Sequence, residues 1–220
     1  MLFKPYAKPG AAIELHKVTD FDKGLFVSDE QPLTTFSKMA KETVLIYAGP
    51  GDFPINLDYC EEINEKLRQA GIPSYYIMQK TFPKAVQTMA LNDGIETVVS
   101  ICSSRNKVVP SMNGQEVFTT SRKSYLLGIH ITQALAALTL IRAFPQIQNE
   151  PSNSPSWSAA KQGLTIVRIN LGYLSNYYDA ELILNHREGL ARAIAEGIEK
   201  YIRNAPKRGE AHAQSGDVVQ

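Results

Sequence analysis

Segments patterned as buried strands alternate with segments of helical periodicity along most of the chain, and this alternation constrains the fold more than any other feature. Strands are predicted at 44–47, 74–78, 97–102, 115–119 and 163–171, and helices at 57–70, 83–91, 124–144 and 180–202. Gly71 ends the first of these helices, and Pro73 prevents it from continuing. Because strands that alternate with helices build parallel sheets, we predict a single α/β domain whose mostly parallel, twisted sheet is flanked by helices on both faces.

Two segments of this domain are less regular. Residues 115–119 follow an Asn113-Gly114 turn and are predicted to form an edge-like strand. Residues 146–157 are polar and are predicted to form a loop, which contains Trp157, the only tryptophan. The indole either anchors this loop to the domain or offers a platform for a sugar.

Composition excludes several classes of protein. The chain has 220 residues, of which 44% are hydrophobic and 20% charged, so it can bury one sizeable core. A formal net charge of +1 gives no reason to expect nucleic acid or an acidic membrane surface as partner. Two cysteines, Cys60 and Cys102, do not indicate a disulfide framework. The apolar run at 125–144 carries His130 and Arg142, which favours a core helix over a membrane span.

Three regions are predicted along the chain. Residues 1–42 form an N-terminal arm or hairpin that either covers a sheet edge or docks a protein partner or a second copy of the chain. Residues 43–204 form the α/β domain, and residues 205–220 form a mobile polar tail. The first ten residues contain no continuous apolar region, so no Sec signal peptide is predicted and the protein is expected in the cytoplasm at synthesis.

The end of the domain contains a recognisable sequence pattern. It consists of Leu171-Gly172-Tyr173-Leu174-Ser175-Asn176, the acidic Asp179-Ala180-Glu181, and then Arg187, Ala191, Ile194, Ala195, Gly197, Ile198 and Tyr201. This segment resembles the end of the zinc-dependent N-acetylmuramoyl-L-alanine amidases of the amidase_3 type. The resemblance extends over about 43–203 and implies the α/β fold of that family. It also implies a catalytic Glu where this chain has Asn170.

Other positions of the family pattern also differ in this chain. The first strand runs into Gly49-Pro50-Gly51, where Pro50 stands in place of a zinc-binding His. Asp52 is the best equivalent of a second ligand, a Glu, and Cys102 takes the place of a third ligand, a His. A zinc centre of this class needs three protein ligands and a carboxylate that moves protons, and an amide such as Asn170 cannot exchange a proton at neutral pH. No metal and no cofactor are therefore predicted.

These differences predict that the chain is not an enzyme but a catalytically inactive homologue, a pseudoenzyme. It would act as a structural or docking module in a phage-derived or virion assembly, with protein partners bound through the arm. One alternative is a peptidoglycan-binding or regulatory protein that uses the old substrate groove, with Arg105, Asn106 and Trp157 as possible groove residues. Another is an active amidase with atypical zinc ligands. The sequence does not separate the first two.

Overall fold

The computed structural model describes residues 3–4, 17–20, 25–27, 43–78, 83–104, 113–138 and 145–204. The strands of this part of the chain are Phe3–Lys4 (β1), Lys17–Asp20 (β2), Leu25–Val27 (β3), Val44–Ala48 (β4), Ser74–Ile77 (β5), Thr97–Ser104 (β6), Glu116–Thr119 (β7), Gln146–Asn149 (β8) and Thr165–Tyr173 (β9). Seven of them form one sheet in the order β1-β5-β4-β6-β9-β7-β8, while β2 and β3 form an antiparallel pair of their own.

Helices cover both faces of this sheet. They are Phe53–Gln69 (α1), Pro83–Asn92 (α2), Arg122–Ala136 (α3), Pro155–Lys161 (α4), Tyr177–Asn185 (α5) and Arg187–Asn204 (α6). One apolar cluster packs α1, α3, α5 and α6 against one face, and a second, smaller cluster packs α2 and α4 against the other. The predicted single α/β domain with helices on both faces is thereby confirmed.

The directions of the strands determine which residues lie together at one edge of the sheet. Strands β5, β4, β6 and β9 pair in parallel, so their carboxyl ends meet at one edge. Strand β7 runs antiparallel to β9, and therefore its first residue, Glu116, lies beside Asn170 near the end of β9. Strand β8 pairs in parallel with β7. The sheet is thus mostly parallel, with a two-strand extension that runs in the opposite direction.

The prediction of a loop at 146–157 is wrong. The strand predicted at 115–119 is present as β7, but it does not lie at the edge of the sheet. Residues Gln146–Asn149 form β8, which covers the outer side of β7 and makes β7 an internal strand. The sequence of β8 lacks the apolar pattern of a buried strand, because β8 lies at the sheet edge and its four side chains are partly or fully exposed. The segment Pro155–Lys161 forms α4, whose start carries the typical signal of a serine, Ser154, at the N-cap position and a proline in the first turn.

Two helices also depart from prediction. The long helix α3 starts at Arg122 behind a capping box between Ser121 and Ser124, and it ends at Ala136, well before residue 144. The first Pro or Gly after this end is Pro145, so the sequence contains no stop signal there. The single helix predicted at 180–202 is two helices, α5 and α6, which are separated at His186.

The N-terminal region contributes to both sheets. Strand β1 pairs antiparallel with β5, with Phe3 opposite Ile77 and Lys4 opposite Tyr76, so it occupies the edge of the large sheet. Strands β2 and β3 pair antiparallel with each other. The other residues of 1–42, like the predicted tail at 205–220, lie outside the described residues. None of the described helices has both the length and the apolar character needed to cross a lipid bilayer.

Candidate functional site

Polar side chains collect on one face of the sheet, at the edge where the parallel strands end. The alternation of side chains along a strand explains this placement. On β6, Val98 belongs to the small apolar cluster under α2 and α4, so Ser100, Cys102 and Ser104 point to the same face closer to the edge. On β9, Ile166 belongs to the same cluster, so Arg168 and Asn170 point to the same face closer to the edge. We call the residues Cys102, Ser104, Glu116, Phe118, Gln148, Glu150, Arg168, Asn170 and Tyr173 the polar edge.

The centre of the polar edge is the carboxylate of Glu116, which accepts three hydrogen bonds. Asn170 Nδ2 donates to Glu116 Oε2 over 2.8 Å, and the Tyr173 hydroxyl donates to the same oxygen over 2.9 Å. Gln148 Nε2 donates to Glu116 Oε1 over 2.9 Å. Hydrogen bonds to a charged acceptor are stronger than those between neutral groups, so these contacts hold the carboxylate in one orientation.

Asn170 is buried, at 2% exposure, and both ends of its carboxamide are engaged. While Nδ2 donates to Glu116, the Oδ1 atom accepts a hydrogen bond from Ser104 Oγ over 3.2 Å and one from the backbone N–H of Gly172 over 3.4 Å. An amide suits this position because it presents a donor to Glu116 and an acceptor to the other two groups.

Tyr173 is held as a hydrogen-bond donor. Burial raises the pKa of the Tyr173 hydroxyl to about 12, and the hydrogen bond to Glu116 adds to this effect because it favours the protonated phenol. At neutral pH the hydroxyl therefore keeps its proton and donates a hydrogen bond to the carboxylate.

A second group of the polar edge surrounds Arg168. Its Nε donates to Glu150 Oε1 over 2.6 Å and its Nη2 to Glu150 Oε2 over 3.3 Å, a bidentate pair in which Glu150 is 7% exposed. The guanidinium carbon lies 3.7 Å from the centre of the Phe118 ring. These contacts connect β9 to the outer strands, because Phe118 is on β7 and Glu150 follows β8.

Cys102 is buried beside Arg168, where its thiolate form is disfavoured. Burial raises the pKa of its thiol to about 11, although Arg168 opposes the shift. The Sγ atom is 3.2 Å from the Ile169 carbonyl oxygen, which accepts a weak hydrogen bond from the thiol. The predicted interpretation of Cys102 as a small buried side chain at a strand end agrees with this geometry.

The turn after β4 lies against the end of β6. The backbone N–H of Gly49 donates to the Ile101 carbonyl over 2.7 Å, and that of Asp52 donates to Ser103 Oγ over 3.1 Å. Gly51 has φ 115°, and a Cβ there would collide with the Ser103 carbonyl oxygen. The close approach requires glycine, and it holds the turn at 49–52 against Ser103, the neighbour in sequence of Cys102 and Ser104.

No family model and no curated protein sequence matches the chain. Several solved structures do match its fold. The amidase AmiC2 of Nostoc punctiforme superposes with a TM-score of 0.63 at 19% identity over 76% of this chain and 99% of that one. The catalytic domain of CwlV from Bacillus (Paenibacillus) polymyxa gives 0.62 at 20% identity over 74% and 98%. CwlD from Clostridioides difficile, in complex with the GerS lipoprotein, gives 0.56 at 18% identity over 74% and 98%.

The chain has the fold of the N-acetylmuramoyl-L-alanine amidases. The prediction that it is not an enzyme is wrong on these comparisons. The two solved structures compared first are those of amidases, and one of them is a catalytic domain. None of the comparisons identifies Pro50, Asp52, Cys102 or Asn170 as a replaced catalytic position.

The described residues of this amidase fold do not fit a zinc ion. They contain no group of three His, Cys, Asp or Glu side chains that could hold a metal. Pro50 offers no side-chain donor, and the thiol of Cys102 is directed to a carbonyl oxygen with its pKa raised. We therefore derive no chemical step through a metal.

The remaining candidate residues are placed as follows. Arg105 and Asn106, predicted as groove residues, lie outside the described part of the chain. Trp157 lies on α4, and its indole N–H donates to the Glu150 carbonyl over 2.8 Å, which anchors α4 as one of the two predicted interpretations states. The sequence analysis missed Glu116, although its place next to the apolar Val117 in a strand pattern marks it as a residue on the opposite face.

Proposed function

We propose that the protein is directed at peptidoglycan and binds it at the polar edge of its amidase fold. The observation that carries the proposal is the oriented carboxylate of Glu116, which lies at the edge where the parallel strands of the sheet end. In open α/β sheets, ligands bind at the carboxyl ends of the strands. The amidase fold supports a role connected with peptidoglycan.

The chemistry of Glu116 suits the peptide and N-acetyl groups of peptidoglycan. A carboxylate offers about four acceptor positions, and Asn170, Tyr173 and Gln148 fill three of them. The remaining capacity can accept an amide N–H or an ammonium group of a ligand. Because the carboxylate is already oriented, little side-chain entropy is lost when a ligand binds.

The proposal predicts the effect of neutralising this carboxylate. Replacing Glu116 with glutamine removes the negative charge and turns an NH2 group toward groups that are themselves hydrogen-bond donors. The loss of a charged hydrogen bond costs about 1.5 kcal/mol. Purified protein should therefore bind sacculi about tenfold more weakly. The measurement is co-sedimentation with sacculi across a range of protein concentrations, with soluble muropeptides assayed in the supernatant. Glu199→Gln makes the same charge change at a solvent-exposed ion pair on α6 and should bind as the unmodified chain does.

Two results would reject this proposal. One is an unmodified chain that neither sediments with sacculi nor releases soluble fragments from them. The other is a folded Glu116→Gln variant whose binding curve equals that of Glu199→Gln.

Docking of a protein partner is the second candidate function. One structure with the amidase fold, CwlD, is recorded in complex with a lipoprotein. In the chain described here, the N-terminal β1 lies at the edge of the sheet, the position from which strand addition proceeds. We propose that residues 1–42 dock a partner or a second copy of the chain, and that this takes place in a phage-derived or virion assembly.

Deletion of residues 1–42 tests the docking proposal. We expect the full chain to self-associate in analytical ultracentrifugation and the shortened chain to sediment as a monomer, because the docking strand is lost. Circular dichroism and thermal unfolding check that the remaining domain is folded. A full chain that stays monomeric at every concentration, or a shortened chain that associates equally well, contradicts self-association through the arm.

A further inference from the structure

A cleft separate from the polar edge lies between helices α2 and α4. Its volume is about 730 Å³, which is within the range of small-molecule sites. Its walls come from α2, which contributes Lys84 and Gln87, and from α4 and its flanking turns, which contribute Ser154, Trp157 and Lys161. Hydroxyl and carboxamide groups outnumber the apolar side chains in this lining, and one large aromatic ring lies among them.

Two polar atoms of the cleft lack hydrogen-bond partners among the described residues. They are Gln87 Nε2 and Ser154 Oγ, both inaccessible to solvent, and Gln87 as a whole is only 5% exposed. A buried polar atom without a hydrogen-bond partner is energetically unfavourable. Since both residues line the cleft, a polar ligand seated deep in it can supply the missing partner after a small rotation of either side chain.

The charge of the cleft comes from two lysines. Lys84 and Lys161 both line it and are both exposed, and neither ammonium group has an acidic partner within the described ranges. No Asp or Glu is among the residues of its lining. The cleft therefore has a net positive charge and favours a ligand that carries a negative group.

Trp157 is fixed in a position suited to stacking. Its indole N–H is held by the Glu150 carbonyl over 2.8 Å, and the side chain remains partly exposed in the cleft wall. An aromatic ring held in this way presents an apolar face, against which the C–H face of a pyranose ring can pack. Amides and hydroxyls around the ring then meet the hydroxyls of the sugar.

We propose that the α2–α4 cleft is a binding site for a pyranose that carries a carboxylate. Trp157 stacks on the sugar ring, Gln87 and Ser154 bind its polar groups, and Lys84 and Lys161 attract the carboxylate. This site is independent of the polar edge, so the proposal stands whether or not peptidoglycan binds there. Both N-acetylmuramic acid and a uronic acid have this chemistry.

Fluorescence of the single tryptophan reports on the cleft directly, because no other residue of the chain is a tryptophan. The full chain is titrated with N-acetylmuramic acid, glucuronic acid, N-acetylglucosamine and inorganic phosphate. We expect a saturable change with the two acids, and at least tenfold weaker binding of N-acetylglucosamine and phosphate, each of which lacks one part of the recognised group. The stronger of the two acids identifies the source of the sugar.

Variants separate recognition from a general charge effect. In the double variant Lys84→Gln/Lys161→Gln, affinity for the acids should fall about tenfold, to the level of N-acetylglucosamine. Lys123→Gln/Lys200→Gln makes the same change of charge on exposed positions of α3 and α6 outside the cleft and should bind as the unmodified chain does. The proposal is overturned if phosphate binds as tightly as the acids, if both double variants behave alike, or if no sugar changes the fluorescence up to millimolar concentration.

Discussion

Replacing Gly197 with alanine is expected to lower the free energy of unfolding by about 3 kcal/mol, the upper range for overpacking a tight interface. Gly197 lies in the middle of α6, where this helix crosses α3. A Cβ at this position would be 2.5 Å from Ile131 Cα, 2.8 Å from Ile131 N and 2.9 Å from the His130 carbonyl oxygen. These are backbone atoms of α3, so the clash cannot be relieved by turning a side chain. Urea unfolding followed by circular dichroism measures the loss.

Gly189 supplies the matched control on the same helix. Among the described residues, no atom outside the adjacent residues and the backbone of α6 lies within 4 Å of a Cβ built on it. Gly189→Ala should therefore leave stability unchanged or raise it by up to about 1 kcal/mol through helix propensity. A Gly197→Ala variant as stable as Gly189→Ala would show that α3 and α6 do not pack as closely as described.

Replacing Asp179 with alanine is expected to cost about 3 kcal/mol and to weaken the polar edge as well. Asp179 is 5% exposed and accepts hydrogen bonds from two backbone N–H groups, that of Gly114 before β7 and that of Tyr173 at the end of β9. Removing the carboxylate leaves both donors buried and unpaired, at about 1–3 kcal/mol each. Because Glu116 follows Gly114 by two residues, the variant should also bind sacculi more weakly.

Asp58→Ala is the control for this change. Asp58 forms an exposed ion pair with Arg187 over 2.7 Å, so its loss should cost less than about 1 kcal/mol. Asp179→Asn keeps one acceptor oxygen and should lie between the two variants in urea unfolding. An Asp179→Ala variant as stable as Asp58→Ala would show that Asp179 does not connect β7 to β9.

The sequence predicts the centre of the fold because the central strands are buried on both faces. Strands β4 and β6 read as nearly continuous apolar runs, and the helices between them carry clear start and stop residues such as Pro83 and Gly94. Strand β8 has no such pattern, since its residues Gln146–Asn149 lie at the sheet edge and bury little. Its identity depends on pairing with β7, which only the assembled sheet shows.

Cys102 and Asn170 lie toward the ends of two strands with apolar patterns, so their position near the sheet edge can be derived from each strand alone. The sequence does not predict the hydrogen-bonded cluster of the polar edge. Glu116 comes from a strand that runs in the opposite direction, and its contact with Asn170 joins residues 54 positions apart. Nothing in the local sequence of either strand specifies that β7 pairs antiparallel with β9.

The most direct test of the proposed function is a nuclear magnetic resonance titration of the isotope-labelled full chain with N-acetylmuramoyl-L-alanyl-D-isoglutamine. Binding at the polar edge predicts that the largest shifts occur at the backbone amides of Ser104, Glu116 and Tyr173, and that they weaken in Glu116→Gln but not in Glu199→Gln. Shifts confined to α3 and α6 on the opposite face of the sheet, or no shifts up to millimolar ligand, would contradict the account.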